Sequence, residues 1–232
     1  MHEIVIDGVN LRKYDVFTSG AGKYNAPERD VTMVTVPGRS GDLVIDNHRF
    51  KNIDVTYPIY IKRDAKRNLK GIRSFFMRKA GYVRIEDSMN PDEFRMGTYK
   101  SGLDSIDTSI EVKQAKFDLV MNCKPQRFLK SGEQELTFTK SESIFNPTEF
   151  DALPLIYIEG NGTLLINDKL ITVKDNSAGV YIDTEIREAY NGATNLNSIV
   201  SISESLAIPS GACPIGIDGL TKVVITPRWW TI

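Results

Sequence analysis

NPTEFDALPLIYIEGNGTLLINDKLITV, residues 146–173, decides how the second half of this chain folds. NPTEF reads as a loop. PLIYIEG is dense in branched and aromatic side chains and reads as a buried strand. Gly160-Asn161-Gly162 reads as a turn, and GTLLIND with KLITV as a hairpin punctuated by Asp168-Lys169. Downstream, GVYIDTE, IVSISE and KVVITPR recur at the spacing of sandwich strands. Residues 185–190 suggest one helical turn, and Asn191-Gly192 a tight turn. KVVITPRWW, residues 222–230, is a closing strand that stops at Pro227. Residues 146–232 therefore predict a β-sandwich.

Working towards the N-terminus, VPGRSGDLVIDNHRFKNIDVTYPIYI (residues 36–61) continues the β pattern. VTMVTV, residues 31–36, is a β-branched strand. PGRSGD turns the chain, and NIDVTYPIYI alternates apolar and polar residues as a half-buried strand does. Pro58 lacks an N–H, which favours an edge strand. Residues 64–80 predict one helix, with Ala65, Leu69, Ile72, Phe76 and Ala80 on one stripe. Asp64 is the expected N-cap and Gly81 the expected stop. Gly71 inside it costs about 1 kcal/mol relative to alanine, so packing must hold the helix. SIEVKQAKFDLVMNC, residues 109–123, is a long strand. The expected division is an N-terminal β-domain over residues 1–130 with one α-helix, a connection over 131–145, and the sandwich over 146–232. The fold class is mainly β.

Composition limits the function classes. The chain has 232 residues, enough for one or two domains at roughly 100–200 residues each. Net charge is −1, but residues 1–145 carry +4 and residues 146–232 carry −5, which supports a boundary near 145. No run approaches the ~18 apolar residues of a membrane span, so no membrane partner is expected. MHEIVIDGV lacks the parts of a secretion signal, which predicts folding in a cytoplasm. Cys123 and Cys213 fall in different expected domains and read as reduced, buried thiols. Two cysteines and two histidines cannot make a four-ligand zinc cluster at a recognised spacing.

Catalytic and phosphate-binding patterns are absent. No G-x-S-x-G elbow or Walker loop occurs, and GAGKY at residues 20–24 lacks its flanking strand and helix. His48 reads as a turn residue. Glu86/Asp87 and Asp92/Glu93 would point to opposite faces of a strand, whereas Asp183 and Glu185 would share one. A wall hydrolase would need one of the latter two against a second carboxylate. No cofactor, metal site or catalytic residue is expected. Two features could bind a partner. Lys66, Lys70 and Arg73 project from one side of the basic helix, off the apolar stripe, and are the candidate contact for a subunit or partner. Trp229 and Trp230 are the candidate exposed aromatics. Neighbours on a strand face opposite ways, so one can fill the core while the other lies outside, to stack on sugar or protein.

Four strings, residues 36–61, NPTEFDALPLIYIEGNGTLLIND, EAYNGATNLNS and TKVVITPRWW, resemble in the same order the distal tail proteins of siphophages, the long-tailed, non-contractile bacteriophages. The resemblance implies a galectin-like fold for the C-terminal sandwich and a ring of six copies built by the N-terminal domain. It implies a structural virion protein at the tail tip, assembled in the host cytoplasm. Its partners would be itself, the tail tube protein, the tail-tip protein, and receptor-binding or baseplate proteins. DNA would pass the lumen without specific binding. The alternative is a carbohydrate-binding sandwich that recognises host-wall glycans.

Overall fold

The computed structural model describes residues 2–19, 25–103, 107–108, 113–202 and 206–232. The chain divides into two compact units, Met1–Arg127 with Ile232, and Phe128–Thr231.

The first unit is a curled antiparallel sheet with one helix. Its strands are β1 (Ile4–Ile6), β2 (Val9–Asn10), β3 (Val16–Thr18), β4 (Arg29–Val34), β5 (Leu43–Phe50), β6 (Ile53–Ile61), β7 (Val83–Asp87), β8 (Glu93–Ser101), β9 (Asp107–Thr108) and β10 (Ala115–Leu129). The main order is β2-β1-β7-β8-β10-β6-β3. A bridge between His2 and Thr18 brings the two ends of this order together, which is how the sheet curls. β4 and β5 stand apart as a two-stranded sheet in which no residue is buried.

Pro58 departs from the edge-strand expectation, because β6 lies between β10 and β3. Its carbonyl accepts the Ser19 N–H, one residue past the end of β3. In an antiparallel strand the N–H and C=O of a residue point the same way. The missing donor of Pro58 therefore faces the point where the neighbouring ladder runs out. The long strand expected over residues 109–123 is β10 from Ala115 onward; residues 109–112 lie outside the described residues, as does GAGKY.

Helix α1 spans Ala65–Met77, shorter than the expected 64–80. Asp64 precedes it in the left-handed region and makes no side-chain cap, so the expected N-cap is not realised. Ala80 lies beyond the helix and is exposed. Ala65, Leu69, Ile72, Phe75 and Phe76 are buried among Ile4, Ile6, Leu11 and the β6 and β10 side chains. Phe75 joins the stripe because 3.6 residues per turn widens it beyond a single row. Gly71 has a packing reason: a Cβ there would lie 2.6 Å from the Tyr14 ring.

The second unit is built on two long strands. They are β13 (Leu155–Ile166) and β19 (Gly211–Thr226), which pair with each other along most of their length. The others are β11 (Leu136–Phe138), β12 (Glu142–Asn146), β14 (Lys169–Val173), β15 (Val180–Asp183), β16 (Glu188–Asn191), β17 (Thr194–Asn195) and β18 (Val200–Ile202). Residues 155–158 of β13 pair with β15, whereas residues 162–166 pair with β14. Likewise the end of β19 pairs with β11 and its beginning with β12. One pair of strands thus serves both layers. Ile156, Ile158, Val180 and Ile182 share a core with Leu164, Ile166, Ile171 and Ile215.

Three expectations change here. Gly160-Asn161-Gly162 is not a turn: β13 runs through it, with register shifts against β19 on either side of Gly160. Residues 131–145 are not a free connection, because β11 and β12 are strands of the second unit's sheet. Residues 185–190 give a turn that leads into strand β16, with no helix. The opening NPT is a buried clasp. The Asn146 amide donates to the Phe150 and Ile208 carbonyls, and its oxygen accepts from the Thr148 N–H and hydroxyl.

Both cysteines are free and buried, one in each unit. Burial pushes the Cys123 thiol up to about 12 and raises Cys213 as well. The thiolate is the reactive species. At pH 8 a colorimetric disulfide reagent should therefore titrate no thiol in the native chain and two after denaturation. One fast-reacting native thiol would contradict this burial.

Candidate functional site

The basic helix is only partly available to a partner. Arg63 pairs with Asp15, and Lys79 with Asp7. The Arg73 guanidinium donates to the Leu103 carbonyl at 2.9 Å, and Arg78 to that of Ser74. Lys62 lies over the Phe17 ring. Lys66 and Lys70 are exposed on successive turns. Of the three expected contact residues, two lysines project freely, and Arg73, though exposed, is tied to its own unit.

The tryptophans do not form an exposed pair. Trp229 is 4% exposed and belongs to the core of the second unit. Its backbone sits against Gly132, where a Cβ would lie 2.2 Å from the Trp229 nitrogen. Trp230 is half-buried. Its ring stacks on Phe150 at 4.4 Å, and its indole N–H donates to the Asp151 carbonyl. Packing satisfies both rings, which removes Trp229 as a surface aromatic and leaves Trp230 little open face.

The strand register creates an aromatic row that spacing alone did not reveal. Tyr157, Tyr181 and Tyr190 are direct partners across β13, β15 and β16. Their centroids are 4.7 and 5.9 Å apart. The middle ring is flanked on both sides, so the row stabilises the sheet as cross-strand aromatic pairs do, although Tyr181 remains 37% exposed.

Asp183 and Glu185 do come together, but around a cation. Arg228 donates two hydrogen bonds to the Asp183 carboxylate, at 2.8 and 2.9 Å, and lies 3.8 Å from Glu185. Burial alone would raise Asp183; its hydrogen bonds to the Arg228 guanidinium override this and hold the carboxyl below its usual range. A general acid needs the opposite shift. Arg228 adopts a left-handed backbone (φ 59°), and its N–H donates to the Gly132 carbonyl. The group therefore locks the end of β15 to the segment after β19. No group of three or more His, Cys, Asp or Glu side chains suited to a metal ion occurs among the described residues.

No protein-family model and no curated protein matches the sequence. The fold has close counterparts among solved structures. It matches the Dit protein of phage SPP1, described as a paradigm of the hub adsorption apparatus in phages infecting Gram-positive bacteria. That match has a TM-score of 0.73 at 13% identity and covers 100% of both chains. It also matches a chain of the phage P2 baseplate in its activated conformation with calcium, with TM-score 0.54, 9% identity and 97% of both chains covered. The strontium form gives 0.54 at 8% identity over 97% of both. The chain thus has the fold of a phage distal tail hub, mainly β with one α-helix and a C-terminal sandwich consistent with the galectin-like expectation.

Proposed function

We propose that this chain is a structural virion protein that forms a ring of six copies at the distal end of a phage tail. The ring joins the tail tube to the tail-tip and receptor-binding or baseplate proteins, and DNA passes its lumen. The observation that supports this reading is the fold match over the whole length of both chains. Residues 1–130 would build the ring, and the sandwich would lie at its periphery. Lys66 and Lys70 would face a subunit or partner, because a lumen lined with cations would hold the phosphates that must slide through it. The aromatic groups of the sandwich favour this role over glycan binding, since Trp229 is buried and Trp230 and Tyr181 each stack on aromatic neighbours of their own chain.

Light scattering across a range of concentration and salt tests the reading. The expected mass is that of six 26.0 kDa chains, about 156 kDa, reached directly or through a concentration-dependent equilibrium. High salt should weaken the assembly if the lysines contribute. A single-chain mass at every concentration would overturn the ring.

A further inference from the structure

We propose that the β4–β5 hairpin of one copy seats in a groove at the opposite end of β6 in the next copy, joining chains head to tail. This inference rests on the ring reading above and names its contact.

The hairpin has the sequence of a buried element in an exposed place. Its register pairs Thr32 with Ile45, Met33 with Val44, and Val34 with Leu43. Strand alternation then places Val34, Leu43 and Ile45 on one face and Val31, Met33 and Val44 on the other. Apolar residues on both faces are the pattern of a strand covered on both sides. Yet Met33 is 59% and Val44 55% exposed, and no residue of either strand is buried. An isolated two-stranded hairpin is marginal in water, and a contiguous exposed apolar patch marks an interaction site.

The same unit carries a receptor of matching chemistry. A groove of about 790 Å³ is lined by Phe17, Pro58 and Tyr60, which the strand register puts on one face of the sheet. Lys62 and Lys116 lie over the Phe17 and Tyr60 rings, and Asp118 also lines the groove. The hairpin tip holds Arg39 and Asp42, both exposed. Asp42 can draw the two lysines off these rings, and Arg39 can meet Asp118, while the Val34–Leu43–Ile45 face packs on the aromatic lining so uncovered.

No hairpin residue lines the groove of its own chain, so the contact is intermolecular. β5 enters β6 at Ile53 through two residues, and the Asn25 amide, four residues before β4, donates to the Asp54 carbonyl. The groove lies at Pro58–Lys62, about 20 Å further along the strand. Projection and groove are different patches at different ends of one strand. Such a contact is heterologous: it propagates from copy to copy and makes a ring where the rotation closes.

Two complementary variants test it. Val34→Thr/Leu43→Thr/Ile45→Thr puts β-branched, strand-compatible threonine at all three positions but removes the apolar face. Tyr60→Glu puts a carboxylate on the groove floor, beside Lys116, whose ammonium already lies over that ring. Each variant alone should self-associate at least about 100-fold more weakly than the unmutated chain. Their equimolar mixture should give a two-chain species of about 52 kDa and nothing larger, because only one hairpin and one groove remain intact between them. Rings formed by either variant, or a mixture that stays monomeric, would overturn the proposal while the ring reading stands. A monomeric unmutated chain would overturn both. If either variant fails to fold by circular dichroism, Ser40→Cys/Lys62→Cys with a bis-maleimide linker replaces it. A ladder of linked chains is expected, and a single-chain product overturns the contact.

Discussion

Replacing Gly162 by alanine should destabilise the second unit by about 4 kcal/mol, at the upper end of single-substitution effects. A Cβ at this position would lie 2.1 Å from the Asp218 carbonyl oxygen and 2.8 Å from the Gly219 carbonyl carbon. Both are backbone atoms of the partner strand, so no side chain can swing aside. β13 and β19 would have to separate where they carry both layers of the core, between Ile158 and Leu164. Gly192 is the control. It adopts φ 58° with nothing within 4 Å of its would-be Cβ, so alanine there should cost only about 1–2 kcal/mol for the left-handed backbone. The two tryptophans both lie in the second unit, so urea unfolding followed by tryptophan fluorescence reads this unit alone. Equal losses for the two variants would show that the strands do not approach so closely at Gly162.

That glycine also shows where sequence reading stops. Gly-Asn-Gly has the same local chemistry in a turn and in a bulge. What selects between them is the register against β19, a strand about fifty residues away. The strand content and the single helix were legible because they depend on local periodicity: Ala65, Leu69, Ile72 and Phe76 are buried as their spacing predicted. Asp64 was not legible as a failed cap, because capping depends on backbone dihedrals set by the preceding strand. Residues 131–145 looked too poor in large apolar side chains to be structural. In fact Phe138 and Ile144 are enough, since each short strand adds only one side of itself to the core. For the candidate contact surfaces the limit was different. VTMVTV and LVI read simply as strands, and only coordinates show that no residue of β4 or β5 is buried. The tyrosine row needs three strands in register before its members become neighbours. The tryptophans misled because adjacent strand residues face opposite ways in principle, whereas here Phe150 covers the one that points out.

Replacing Asp183 by asparagine should cost about 3 kcal/mol and flatten the acid limb of the second unit's stability. The cost follows from geometry. Asp183 is 8% exposed and accepts both arms of the Arg228 fork, as well as the Glu185 N–H. Removing its charge leaves a partly buried guanidinium with only Glu185 nearby, and breaking a buried pair by one partner costs about 3–5 kcal/mol. The pH dependence follows from the direction of the shift. The folded carboxyl is held below its ordinary value, so the folded state binds fewer protons than the unfolded one through this range. The stabilisation is complete above the unfolded value of about 3.9 and is lost as pH falls through the folded value. Glu3, Asp30, Asp46 and Asp54 are shifted the same way by partners in the first unit. The first unit should therefore keep its acid sensitivity in the variant. Tryptophan-detected urea midpoints between pH 7 and pH 3 separate the two contributions. The unmutated chain should lose stability steeply below pH 4, and Asp183→Asn, already weaker at pH 7, should converge with it there. Parallel curves for the two proteins would show that the Arg228–Asp183 lock does not differ between the folded and unfolded chains.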